Sequence, residues 1–238
     1  MKLELVGVSK FFRGTHALDQ VSEVFEPGRI VAVLGLNGAG KSTLLHCLAG
    51  ILSLSEGQFT FDGDRFGRER VDLRRRFGFL PDFPLYFAWM NGLQYIGMVL
   101  RLYGKDTPGV EARVLDLLRG FDLLPQAEAK MVTLSRGQIY KMALVALMAV
   151  DPELWLLDEP MASGMDALGF REFRARARAA ADAGATILYT TQILSVAEQF
   201  SDEVLVLHQG RVRARGPAAG LHASGELEQL LAALREEA

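Results

Sequence analysis

The sequence predicts an α/β fold with an antiparallel β subdomain and an inserted α-helical subdomain. Three observations predict it. First, residues 29–49 read as strand, glycine loop, helix: the apolar, β-branched run Arg29-Ile30-Val31-Ala32-Val33-Leu34 leads into Gly35-Leu36-Asn37-Gly38-Ala39-Gly40-Lys41-Ser42-Thr43, which fits G-x-x-x-x-G-K-[ST], and Thr43-Leu44-Leu45-His46-Cys47-Leu48-Ala49 opens a helix. Second, two strand-like runs, residues 2–8 and 17–25, precede that unit, an arrangement foreign to a plain doubly wound sheet. Third, residues 82–149 read as an inserted helical lobe, opening with an aromatic- and methionine-rich stretch of helical spacing over residues 86–102.

Composition bounds the possibilities. The chain has 238 residues, half of them hydrophobic, enough for a large core in one domain or two lobes. A net charge of −3 gives no bias toward nucleic acid, and no nucleic-acid partner is expected. The basic run Arg74-Arg75-Arg76 reads as a solvated face. A lone cysteine, Cys47, permits no disulfide within the chain and suits a reducing compartment. No signal peptide is read, and the longest apolar run, residues 142–150, is too short to span a bilayer.

In chain order, Phe11-Phe12-Arg13-Gly14 forms a turn, and Pro27-Gly28 ends the second strand. Ordinary packing accounts for Phe12 on local grounds, although an aromatic ring near a nucleotide could stack on a base. In the glycine loop, successive backbone N–H groups of Asn37, Gly38, Ala39 and Gly40 can form a nest for phosphate oxygens. The following helix N-terminus adds free donors and partial positive charge. Lys41 is placed for β- and γ-phosphates, Ser42 for Mg²⁺ and Thr43 for the α-phosphate.

Gln58-Phe59-Thr60-Phe61 alternates as a strand before the Asp62-Gly63 turn, and residues 64–76 carry an irregular helical pattern. Phe77-Gly78-Phe79-Leu80 is a short strand ending at Pro81. Residues 86–102 and 110–121 read as helices; the Met/aromatic stripe of the first is dense enough to include an exposed docking surface. Thr133-Leu134-Ser135-Arg136-Gly137-Gln138 leads into a helix over residues 139–150, with Ser135 and Gln138 spaced as a capping box.

Leu154-Trp155-Leu156-Leu157-Asp158-Glu159-Pro160 is an apolar strand delivering two carboxylates at its C-terminal end, where open α/β sheets bind ligands. Buried acids are costly unless they meet a cation, so Asp158 is the candidate Mg²⁺ partner. Glu159 is the candidate base for an attacking water. A helix over 168–183 closed by Gly184, a buried strand over 186–191 followed by Gln192, and a strand over 204–207 with a return at 211–214 complete the core. Leu227, Leu230, Leu231 and Leu234 form a last helical stripe in a tail over 217–238.

Together these motifs resemble the ATP-binding subunit of an ABC transporter, with the likeness running over residues 3–216. The phosphate loop comes first. Leu134-Ser135-Arg136-Gly137-Gln138 resembles the family signature Leu-Ser-Gly-Gly-Gln, and residues 154–159 resemble the Walker B strand with its following glutamate. The resemblance implies a P-loop NTPase (ABC ATPase) core formed by residues 1–81 and 150–216, with the helical subdomain over 82–149. Met90-Asn91-Gly92-Leu93-Gln94-Tyr95 and Leu102-Tyr103-Gly104 resemble the exporter-like, drug and lipid branch.

The resemblance implies ATP and Mg²⁺ as cofactors, a second nucleotide-binding subunit packed head to tail, and a membrane permease as partner. It places the chain at the cytoplasmic face of the cell membrane, held there through that permease. Ser135, Gly137 and Gln138 would serve the partner's nucleotide, and Phe12 would lie under adenine. Four departures stand out. Asp82 occupies the place of a glutamine beside the metal, Gln192 that of the γ-phosphate histidine, and Arg136 that of the signature's first glycine. The spacing from Glu159 to Asp166 is one residue longer than the family's usual spacing, so the resemblance assigns no interface role to Ser163, Gly164 or Asp166. The main expectation is an ATPase powering transport. The alternative is a degenerate ATP switch with weak or no hydrolysis, motivated by Asp82 and Gln192; a soluble ATPase acting on nucleic acid or ribosomes ranks last.

Overall fold

The structure, a computed structural model, describes residues 1–162 and 164–219. The leucine stripe of the tail and Ser163 lie outside the described residues. The chain runs β1 (Leu3–Phe12), β2 (Thr15–Phe25), β3 (Ile30–Leu34), α1 (Lys41–Leu48), β4 (Glu56–Phe61), β5 (Asp64–Arg65), α2 (Val71–Arg74), β6 (Phe77–Leu80) and α3 (Gly92–Tyr103). It continues with α4 (Val110–Gly120), α5 (Arg136–Val150), β7 (Leu154–Leu157), α6 (Ala167–Asp182), β8 (Thr186–Thr191), α7 (Leu194–Phe200), β9 (Glu203–His208) and β10 (Arg211–Pro217).

The strands form two sheets. An antiparallel sheet has the order β2-β1-β4-β5. The larger sheet has the order β10-β9-β3-β8-β7-β6, parallel throughout except for the β9–β10 pair at its edge. Because side chains alternate along a strand, each central strand feeds two cores. Ile30, Ala32, Leu34, Trp155 and Leu157 pack with α3, α4, α5 and α6 on one side. Val31, Val33, Leu154 and Leu156 pack with α1 and the antiparallel sheet on the other. That is why these strands read as unbroken apolar runs.

The helices begin and end for local reasons. Asn91 caps α3 through a reciprocal pair of bonds with Gln94, so the helix starts at Gly92, later than the aromatic pattern from residue 86 suggests. Gly104 ends α3 in the left-handed conformation. Residues 64–76 form β5 and the single turn α2 in place of an irregular helix. The turn at Asp62-Gly63 has positive φ at both residues (51° and 85°), the geometry of a tight hairpin between β4 and β5. Arg76 is more than a solvated charge: it pairs with Asp62 and with both Glu153 oxygens (2.8 Å each), fastening that turn to the start of β7. Cys47 is buried as expected, and burial pushes its thiol up to about 11.

Candidate functional site: a cleft at the carboxyl ends of four strands

Four neighbouring strands of the large sheet, β3, β8, β7 and β6, deliver their C-terminal ends side by side. The glycine loop follows β3, Gln192 follows β8, Asp158 and Glu159 follow β7, and Asp82 follows β6. Residues from all four line one cleft of about 530 Å³, together with Thr15, His16 and Ala17 of β2 and with Gln209. Asn37, Gly38, Ala39, Gly40, Lys41, Ser42 and Thr43 all face it. The strand ends alone therefore gather residues as far apart as Asn37 and Gln192, 155 positions.

The glycine loop is shaped by close backbone approach. A Cβ on Gly40 would sit 2.3 Å from the Ala17 carbonyl, and Gly40 has φ 104°, open only to glycine at low cost. A Cβ on Gly35 would meet the Leu207 carbonyl at 2.4 Å. At Gly38 the same atom would meet nothing within 4 Å, so this turn leaves open space over the loop. Lys41, the first residue of α1, is buried, and its ammonium donates to the carbonyls of Gly35 (2.9 Å) and Leu36 (3.2 Å).

The acids are held in a chain of contacts. Ser42 Oγ donates to Asp158 Oδ1 (3.0 Å), and Thr190 Oγ1 donates to the same oxygen (2.6 Å). The backbone N–H of Glu159 donates to Thr190 Oγ1 (2.8 Å). Glu159 itself has φ 45°, the left-handed region, which costs a non-glycine residue strain and is found at sites that fix a side chain. Its Oε1 is buried without a hydrogen bond and lies 3.4 Å from Lys41 Nζ. A buried carboxylate oxygen with only a long ion pair is poised to take a further partner.

Ser42 and Asp82 line the cleft with hard oxygen donors, and buried Asp158 is hydrogen-bonded to Ser42. Among the described residues no group of three or more His, Cys, Asp and Glu side chains gathers as a metal cage. A few oxygens with room for water and phosphate fit Mg²⁺ and do not fit a structural zinc.

The signature residues lie apart from the lining of this cleft, at the start of α5. Ser135 Oγ accepts from the Gln138 N–H (3.2 Å) and Gln138 Oε1 accepts from the Ser135 N–H (2.9 Å), the capping box that the spacing predicts. Gly137 is tight against the loop after Glu159: a Cβ there would lie 2.3 Å from the Gly164 carbonyl. Arg136 Nη2 is 3.7 Å from Asp82 Oδ2. Tyr140, one turn on, has a fully buried hydroxyl with no hydrogen-bond partner. Burial, then the charges of Asp158 and Asp82, hold this phenol well above its ordinary range. Phe12 is exposed at the end of β1, outside the cleft lining, with Lys10 Nζ 5.0 Å from its ring centre.

Three features escape sequence reasoning. Thr190 joins Asp158 to Glu159, but a threonine in a buried strand signals only β-propensity. Thr15, His16 and Gln209 reach the cleft through sheet pairing that no local pattern encodes. Buried Lys141 pairs with Asp166 at 2.9 Å, tying α5 to α6; a lone lysine within an apolar helix could have prompted a search for its acid.

Comparison with known proteins agrees with this geometry. The family described as ABC transporter matches residues 18–162. The ABC-type transporter ATP-binding protein EcsA of Bacillus subtilis (strain 168) is 30% identical over 204 residues, covering 86% of this chain and 82% of its own. The daunorubicin/doxorubicin resistance ATP-binding protein DrrA of Streptomyces peucetius is 32% identical over 222 residues, covering 93% and 67%. A solved ATP-binding subunit of an ABC transporter superposes with a TM-score of 0.91 at 29% identity, over 99% of this chain and 100% of the other. The phosphate loop, the paired acids and these relatives agree: the chain belongs to the ABC transporter family, as an ATP-binding and ATP-hydrolysing subunit that powers transport.

Proposed function

We propose that the chain acts as one half of a head-to-tail pair of such subunits, each cleft closing on ATP and Mg²⁺ against the other subunit's signature. The observation that carries this reading is the Lys41–Glu159–Thr190–Asp158–Ser42 cluster at the strand ends. The loop N–H groups and the α1 N-terminus receive phosphate oxygens, and Lys41 turns from the Gly35 and Leu36 carbonyls toward the terminal phosphates. Ser42, Asp158 and Asp82 would hold Mg²⁺, which when bound would offset negative charge on the phosphates. Glu159 accepts a proton from the attacking water, and Gln192 donates to the γ-phosphate. Ser135 and Gly137 approach the other subunit's γ-phosphate from the N-terminus of α5, and Phe12 stacks on adenine.

The partner on the other side is a membrane permease. Phe83, Leu85, Phe87 and Trp89 form an exposed apolar strip between β6 and α3, with the Phe87 and Trp89 rings 4.9 Å apart, and this strip supports docking there. No helix among the described residues is long and apolar enough to cross a membrane. The attachment is therefore read as peripheral, through the permease, on the cytoplasmic face. Similarity to DrrA, named for drug resistance, supports the exporter-like branch.

Replacing Glu159 by Gln tests the reading. Steady-state ATP hydrolysis with Mg²⁺ should fall by ~10²-fold or more while ATP-dependent dimers accumulate in size-exclusion chromatography. Lys41→Ala should lose both turnover and dimers. Dimerisation indifferent to ATP in the wild type and in Glu159→Gln would overturn the paired mechanism.

A further inference from the structure

Asp82 and Arg136 are the two charged departures from the family pattern, and the structure pairs them. Asp82 lines the cleft, while Arg136 is the first residue of α5, between Ser135 and Gly137. Their carboxylate and guanidinium lie 3.7 Å apart, each about half exposed (54% and 52%). An ion pair this exposed adds little to stability. Its effect is better sought in the charge it places beside a bound phosphate. A carboxylate at the mouth of a phosphate site repels an extra anionic charge, and a guanidinium against it cancels much of that field.

We propose that Arg136 is a positioning residue for Asp82, neutralising it from within the same subunit so that the cleft accepts the γ-phosphate. Binding of ATP over ADP in this cleft then depends on a residue of the signature segment belonging to the same chain, in addition to any contact that segment makes across a dimer. This deepens the proposed role of the cleft and rests on its binding ATP there.

The test is a double-mutant cycle read by calorimetry on the purified chain with Mg²⁺, using a non-hydrolysable ATP analogue and ADP. Arg136→Gly should weaken the analogue by roughly 3- to 10-fold and leave ADP within twofold, because only the third phosphate meets the uncompensated charge. The loss should shrink as salt is raised. Arg136→Gly made in an Asp82→Asn background should cost nothing beyond Asp82→Asn alone, whatever that single change does through the metal. Equal losses for both nucleotides, or a loss that persists with Asp82→Asn, would overturn the proposal by making Arg136 a general contact or a fold determinant. No measurable binding of either nucleotide to the wild type would instead overturn the reading of the cleft itself. Circular dichroism melting of each variant separates these outcomes from misfolding.

Discussion

Thr190 carries two links of the site on one hydroxyl: it donates to Asp158 and accepts from the Glu159 backbone. Valine has nearly the same shape but neither bond. Thr190→Val should therefore leave a backbone N–H beside the strained Glu159 unpaired and a buried carboxylate short of one donor. We expect a stability loss of about 1–3 kcal/mol in urea titration and a fall in turnover of about tenfold or more, with nucleotide affinity little changed. An unaltered turnover would show that the φ of Glu159 is set elsewhere. The acids themselves were legible in the sequence, because an apolar strand ending in Asp158-Glu159 is costly without a cation. Their tether was not, since its partners lie 31 and 32 positions away on a different strand.

Between elements, the decisive contact is that of Lys141 on α5 with Asp166, which caps α6 by accepting from the Gly169 N–H at 2.7 Å. That backbone bond and then the Lys141 ammonium hold the Asp166 carboxyl below its ordinary value of 3.8. A depressed carboxylate adds stability at pH above its unfolded pKa and loses it as pH falls through the folded one. Asparagine can keep the cap but not the ion pair, leaving buried Lys141 alone. Asp166→Asn should thus lower the urea midpoint at pH 7, by about 1 kcal/mol or less because solvent screens a carboxylate that is 61% exposed, and the gap to wild type should close as pH drops below 3.8. A gap of constant size down to low pH would mean the loss comes from packing. The cap of α5 could be read from Ser135 and Gln138 alone, since its partners are three residues apart. The bond between α5 and α6 spans 25 positions and depends on how the helices sit, which periodicity does not encode.

At the scale of the whole molecule, the cleft lies at the carboxyl ends of β3, β8, β7 and β6, the sheet that separates the two cores. Strand identity was legible from apolar runs; strand order was not, because parallel pairing joins segments as remote as β3 and β9. That remoteness has a thermodynamic consequence. On the proposed reading a nucleotide is held by the ends of four strands, so it should stabilise the folded chain and find no comparable site in the unfolded one. With MgATP at ~100 times its dissociation constant the gain is about 2.7 kcal/mol. For a chain of this size that corresponds to a rise in melting temperature of roughly 5–11 °C. Differential scanning fluorimetry of Glu159→Gln, which removes turnover during the scan, should show this rise. Chelating Mg²⁺ should reduce it, and Lys41→Ala should abolish it, measured against that variant's own ligand-free midpoint, which loss of the buried bonds to Gly35 and Leu36 lowers. A rise that survives Lys41→Ala would place the stabilising nucleotide outside this cleft.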